Sequence, residues 1–248
     1  SAASDVYKRQ VASSKDKNYS YIPKGYNIDP HSDYFHCTSN NTIYGAQLKE
    51  YPLTEVPVIC DMSSDIFSRP VDVAKFDLIY AGAQKNLGPA GATLVIVKKS
   101  ALGKSGRYIP AMLDYNTHIS KESMFNTPPV FSIYVSMLTL RWLKENGGVE
   151  AIHHKNEAKA ALLYHEIDRN PLFEGTVVKK DRSSMNACFL LKDEAAHKDA
   201  FNALITEARI NGLAGHRSVG GYRASMYNAL GQESVQVLVD CMKKLENK

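Results

Sequence analysis

The chain has 248 residues, of which 44% are apolar, enough to bury a sizeable core in one large domain or two smaller ones. Its charged fraction is 23% and its net charge +4, and no block of Lys or Arg interleaved with aromatic residues marks a nucleic-acid groove. No apolar run approaches the length of a membrane span, and four widely spaced cysteines without a C-x-x-C pair point to reduced thiols in a cytoplasmic protein.

The opening "SAASDVYKRQ" carries no apolar period and no helix start, and residues 1–10 read as a leader foreign to the rest. The text from Val11 begins as if in mid-domain, so the chain reads as truncated at its N-terminus. Residues 11–147 then show short apolar runs broken by polar ends. "VPVICDMSS" (56–64), "FDLIYAG" (76–82) and "ATLVIVKK" (92–99) each predict a buried strand. Around His31, His36 and Cys37 the text reads as a loop before a strand. The texture is that of an α/β domain with a largely parallel sheet.

A helix is predicted over 132–148, capped by Ser132 and stopped by Gly147 and Gly148. A second follows over 149–170, closed by Pro171. "NACFLL" (186–191) predicts a strand. A helix capped by Asp193 and stopped by Gly212 comes next, then a short strand in "RASMY" and a closing helix in "GQESVQVLVDCMKKLEN". Residues 148–248 therefore read as a smaller α+β domain.

Three features carry chemistry. Lys85 stands in "YAGAQKNLGPAGATLVIV", between a strand and a Gly/Pro turn, where desolvation would free its amine. Asp61 ends the strand "VPVIC", and ligands of α/β sheets bind at the carboxyl ends of strands. A lysine and an aspartate so placed suit pyridoxal phosphate: the amine forms a Schiff base with the aldehyde and the carboxylate pairs with the ring nitrogen. The third feature, "GLAGHRSVGGYRAS" (212–225), offers close backbone approach and the arginine forks of Arg217 and Arg223 for anions. The adjacent pair His153–His154 points to two faces of a helix, and nothing completes a cluster around His31 and His36, so no metal site is expected.

"CDMSSDIFSRPVDVAKFDLIYAGAQKNLGPAG", "SMFNTPPVFSIY" and "GHRSVGGYRASMYNA" resemble, in the same order, three stretches of the phosphoserine aminotransferase family, within the class V pyridoxal-phosphate aminotransferases. The resemblance runs from about Val11 to the C-terminus. It implies an aspartate aminotransferase-like fold for pyridoxal-phosphate-dependent transferases, with residues 11–147 forming the later part of the large domain. It implies transfer of an amino group from glutamate to 3-phosphohydroxypyruvate, giving O-phosphoserine and 2-oxoglutarate in serine biosynthesis. By the same resemblance Lys85 is the Schiff-base lysine and proton shuttle, Asp61 the partner of the ring nitrogen, and Thr42 the partner of the ring 3-hydroxyl. Gln84 corresponds to a contact of the cofactor phosphate. Asn126 and Thr127 match a pair that reaches the phosphate of the neighbouring subunit's cofactor, which implies a homodimer with shared sites. Arg223 resembles the arginine of the substrate α-carboxylate, and His216 and Arg217 residues that bind the substrate phosphate. The family's N-terminal portion, with its phosphate loop, its ring-stacking tryptophan and a His-Arg pair, has no counterpart in these residues. Two other readings stay open at this point: a class V aminotransferase of serine–pyruvate type, and a truncated fragment that binds no cofactor.

Overall fold

The computed structural model describes residues 8–247. The expected leader, residues 1–10, therefore lies mostly outside the described residues.

The first sheet is built from β1 (Phe35–Thr38), β4 (Val58–Asp61), β5 (Leu78–Gly82) and β6 (Thr93–Val97), in that spatial order. Between β1 and β4, β2 (Asn40–Asn41) and β3 (Ala46–Gln47) form a small antiparallel ribbon. The alternation of β4 and β5 explains their placement. Val58, Cys60, Ile79 and Ala81 are buried, and with Phe35, Met62, Ile66 and Phe76 they form one hydrophobic core. The opposite face carries Ile59, Asp61 and Tyr80, which remain half-buried.

β1, β4 and β5 run parallel, and β6 runs antiparallel to β5. The sheet is thus mainly parallel with an antiparallel edge. Residues 83–92 are too short a connection for a crossover, so the chain can only fold back on itself. β1 occupies part of the stretch read as loop. Its run Phe-His-Cys-Thr is short and mixed in polarity, so it carries no clear period-2 signal, yet parallel pairing of Cys37 with Cys60 places it in the sheet.

After α1 (Tyr115–Ser120), α2 (Val130–Glu145) begins two residues before its predicted cap. Ser132 is buried inside the helix and donates its hydroxyl to the Ala90 carbonyl at 2.8 Å, which ties α2 to the turn after β5. Gly147, at φ 93°, separates α2 from α3 (Gly148–Arg169).

The second sheet is antiparallel, in the order β7 (Phe173–Gly175), β8 (Asn186–Leu191), β9 (Tyr222–Ser225). It packs with α3, α4 (Glu194–Glu207) and α5 (Gln232–Glu246) around a core that includes Leu163, Phe173, Phe189, Phe201 and Met242. Asp193 caps α4 as predicted, its carboxylate accepting the Ala196 N–H. The helix stops well before Gly212. Arg209 takes the left-handed conformation at φ 56°, and the N–H groups of Arg209 and Ile210 bond back to Thr206 and Ile205. That is a Schellman ending with arginine in the position glycine usually fills.

The two cores meet across a polar seam. Asn40, fully buried, donates to Ser64 Oγ at 2.9 Å and to Asn186 Oδ1 at 2.8 Å. Among the described residues, no helix is long and apolar enough to cross a membrane.

Candidate active site

β5 delivers its chain into a tight turn. The Ala83 carbonyl accepts the N–H groups of Lys85, Leu87 and Gly88, and the Ala83 N–H donates to Ala92 O. This closed turn projects Lys85 toward the ribbon between β1 and β4. There its ammonium donates to Thr42 Oγ1 at 2.9 Å. The amine is half-buried, and burial pushes its pKa below the usual lysine value. The Arg223 cation acts in the same direction, and the carboxylates of Asp61 and Asp65 act against it.

Asp61 stands at the carboxyl end of β4, beside Tyr80 of β5 in register. One carboxylate oxygen accepts the Ser63 N–H at 2.8 Å, which fixes the side chain. Asp65, one helical turn on, is buried and accepts bonds from Ser39 and from Gln47 (3.1 Å). Burial raises its pKa, while those two donors and Arg69 oppose the rise.

Arg223 reaches this cluster from the second sheet. Its Nε is buried and has no hydrogen-bond partner among the described residues. A buried guanidinium donor left unpaired is costly, which makes it a candidate for an anionic ligand. The stretch leading to it is ordered. Gly215 donates its N–H to Gly221 O, Leu213 O accepts the Arg223 N–H, and Ala214 bridges to Tyr222. A Cβ on Gly215 would stand 1.9 Å from Gly220 O, so only glycine permits the closure. The turn at its tip presents His216 and Arg217. His216 Nδ1 contacts Ser218 Oγ at 2.6 Å, and Arg217 is exposed.

The structure brings Lys85 and Thr42 into contact and sets Asp61 and Arg223 close enough to act on the Lys85 charge. Gln84, next to the lysine, is exposed. Asn126 and Thr127 stand apart. Both are exposed in the loop before α2, and the Asn126 amide donates only to the Thr127 carbonyl among the described residues. Among the described residues no His, Cys, Asp and Glu side chains cluster so as to hold a metal ion. Sequence reasoning passed over Asn86, Asp65, Asn156, Lys159 and Asn228. All are buried polar groups with partners distant along the chain, and nothing in their local sequence marks them as buried.

The sequence pattern of the aminotransferase class-V family matches residues 10–238. The chain belongs to this family. Among curated class V relatives, it is 66% identical over 238 residues to the phosphoserine aminotransferase of Flavobacterium psychrophilum, covering 96% of this chain and 67% of that protein. It is 60% identical over 237 residues to that of Parabacteroides distasonis, covering 95% and 67%. The chain thus spans about two thirds of the length of these relatives. The structure of phosphoserine aminotransferase from Bacillus circulans subsp. alkalophilus superposes with a TM-score of 0.92 at 44% identity, over 96% of this chain and 67% of that one. A pyridoxal-phosphate-bound phosphoserine aminotransferase from Trichomonas vaginalis gives 0.82 at 37% identity, over 88% and 62%. The fold is therefore the aspartate aminotransferase-like α/β fold of these class V enzymes.

Proposed function

We propose that the protein transfers an amino group from glutamate to 3-phosphohydroxypyruvate, producing O-phosphoserine and 2-oxoglutarate in serine biosynthesis. The observation that carries this is the convergence of a pKa-depressed lysine, its threonine partner, an aspartate at a strand end and a buried, unpaired arginine. Relatives named phosphoserine aminotransferase support the choice of reaction.

Pyridoxal phosphate fits these residues, since a half-buried amine of lowered pKa and a carboxylate at a strand end are the groups that its aldehyde and its ring nitrogen call for. When bound, it supplies an aldehyde for covalent capture of an amine and a ring that withdraws electrons from the substrate α-carbon. Lys85 is positioned to hold it covalently and to move a proton at the α-carbon, because its lowered pKa leaves more of the amine unprotonated. Asp61 would keep a proton on the ring nitrogen, Thr42 would hold the lysine and the ring hydroxyl, and Gln84 would serve the phosphate. Arg223 holds the α-carboxylate common to every substrate. His216 and Arg217 take the substrate phosphate, for which the exposed guanidinium of Arg217 is suited. Asn126 and Thr127, remote from Lys85 of their own chain, serve the site of a second subunit in a homodimer.

We divide the chain into a large-domain part over 11–147 and a small domain over 148–248, a division supported by the two separate cores. The cytoplasm, where its cysteines stay reduced, is the proposed location.

The test is amino transfer by the intact gene product loaded with pyridoxal phosphate, with phosphoserine and alanine compared as donors to 2-oxoglutarate. Turnover with phosphoserine is expected to dominate. Preference for alanine would favour a serine–pyruvate type of class V enzyme instead.

A further inference from the structure

Lys159, in the middle of α3, is 1% exposed. Its ammonium donates to three backbone carbonyls, Met226 O at 3.1 Å, Tyr227 O at 2.9 Å and Leu230 O at 3.0 Å. An ammonium has three donors, and all three are used on one loop. Burial pushes its pKa down to about 8, against the three carbonyls that favour the charged form. A buried cation is a costly way to pack a helix, and an apolar side chain here would leave the three loop carbonyls without this donor.

One turn earlier on the same face, Asn156 is fully buried. Its amide donates to Ser68 O at 3.1 Å and to Asn228 Oδ1 at 2.9 Å. Asn228 lies in the loop that Lys159 grips. It donates its side-chain amide to Phe67 O at 3.0 Å, where Phe67 sits at φ 57°, and its backbone N–H to Asn86 Oδ1 at 3.0 Å. Asn86 is the residue after Lys85. At the other end, the loop is the direct continuation of β9, which carries Arg223.

We propose that Lys159 and Asn156 are positioning residues: they clamp the 226–230 loop onto the turn that follows β5, and so fix Arg223 of the small domain against Lys85 of the large one. This rests on the aminotransferase reading of the site. Arg223 and Lys85 come from different sheets with different cores. The seam through Asn40 and Asn186 joins the two sheets, and the 226–230 loop adds a tie that touches the neighbours of both charges directly. Of its carbonyls, Tyr227 O also accepts the Leu230 N–H within the loop. Fixing those carbonyls from α3 makes the spacing of the two charges a property of the fold rather than of the ligand.

The experiment uses Lys159→Met, which nearly keeps volume but removes every donor, and Asn228→Ala, which leaves the Lys159 bonds in place and removes the loop's side-chain ties to Asn156 and Phe67. In the cofactor-free protein, hydrogen exchange should quicken about tenfold or more at the amides of Met226 and Asn228, whose partners are Met185 O and Asn86 Oδ1. Amides within α5 should keep their protection. In the loaded enzyme the visible band of the lysine-bound cofactor should persist, while KM rises roughly tenfold for glutamate and phosphoserine alike with a smaller change in kcat. Even loss of protection across the whole small domain, or an unchanged KM in folded variants, would overturn the proposal. If Lys159→Met does not fold, Asn228→Ala decides by the same measures. A wild-type protein without band or turnover would sink the aminotransferase reading instead, and the exchange data would still report on the clamp.

Discussion

Lys85 carries a charge that its surroundings penalise, and the residues around it divide the labour. In the intact, loaded protein, Lys85→Ala should erase the visible cofactor band and lower turnover by several orders of magnitude, because the covalent tether and the proton carrier are lost together. Asp61→Asn should leave the band and cost roughly 3 kcal/mol of transition-state stabilisation, more than a hundredfold in rate. Turnover within about tenfold of wild type would remove Asp61 from the role. The two arginines separate by substrate. Arg223→Ala should weaken the half-reactions of both glutamate and phosphoserine by about 2–5 kcal/mol, since each loses its α-carboxylate partner. Arg217→Ala should weaken mainly phosphoserine, as read by single-turnover spectroscopy with each amino acid; equal losses would misplace the phosphate site. Lys85 and Arg223 stand out in the sequence as charges beside glycines, and Asp61 as a charge that ends an apolar run. Lys159 and Asn228 do not. A buried lysine in "NEAKAALLYHE" looks like an exposed helix position until the fold brings carbonyls 67 to 71 residues away onto it.

At the level of elements, β4, β5, β8 and the long helices follow from period and caps, which are local signals. β1 and β7 do not, because strands of four and three residues are made by their partners more than by their own text. The ribbon holding Thr42 depends on such a long-range contact. Gly45 has φ +81°, and a Cβ there would lie 2.8 Å from Asn186 O and 3.1 Å from Cys188 Sγ in β8. Gly45→Ala should therefore destabilise the fold by about 1–3 kcal/mol, measured by denaturant titration, through strain and clash together. A second tie joins the end of α3 to the segment before β8. Asp168 accepts from Arg182 at 2.7 and 3.0 Å and pairs with Lys179 at 3.0 Å. The Arg182 guanidinium foremost holds the Asp168 carboxyl below the usual carboxylate range. The folded form thus binds its proton less readily than the unfolded chain, so the stabilisation is complete above the unfolded pKa of about 4 and fades as pH falls through the lower folded value. Asp168→Asn should cost about 1–2 kcal/mol at pH 7, and its deficit relative to wild type should shrink below pH 4. A deficit that stays constant down to pH 2 would mean the pair contributes by packing rather than charge.

Across the whole molecule, the apolar surface is unevenly placed. In the stretch from Met112 to Leu140, Leu113, Val130 and Phe131 are 71%, 67% and 73% exposed, and Ile119, Met124 and Tyr134 are more than half exposed. Side chains of this size are seldom left in water in such density unless another surface covers them. Asn126 and Thr127 lie within the same stretch, apart from their own chain's Lys85. A second copy docking here would bury the apolar side chains and bring that pair to its neighbour's site in one step. Phe131→Asp places a charge on the exposed start of α2, where it disturbs neither core and sets an unpaired carboxylate in a closed interface. Sedimentation of the intact gene product should show a dimer for wild type and a shift to monomer for Phe131→Asp, with little change in the melting temperature of the isolated subunit. Pyridoxal phosphate should dissociate about tenfold more readily from the variant, and Asn126→Ala should match that loss while remaining dimeric. A monomeric wild type, or a monomeric variant that keeps its cofactor affinity, would show that each chain completes its own site and that the exposed face serves another partner.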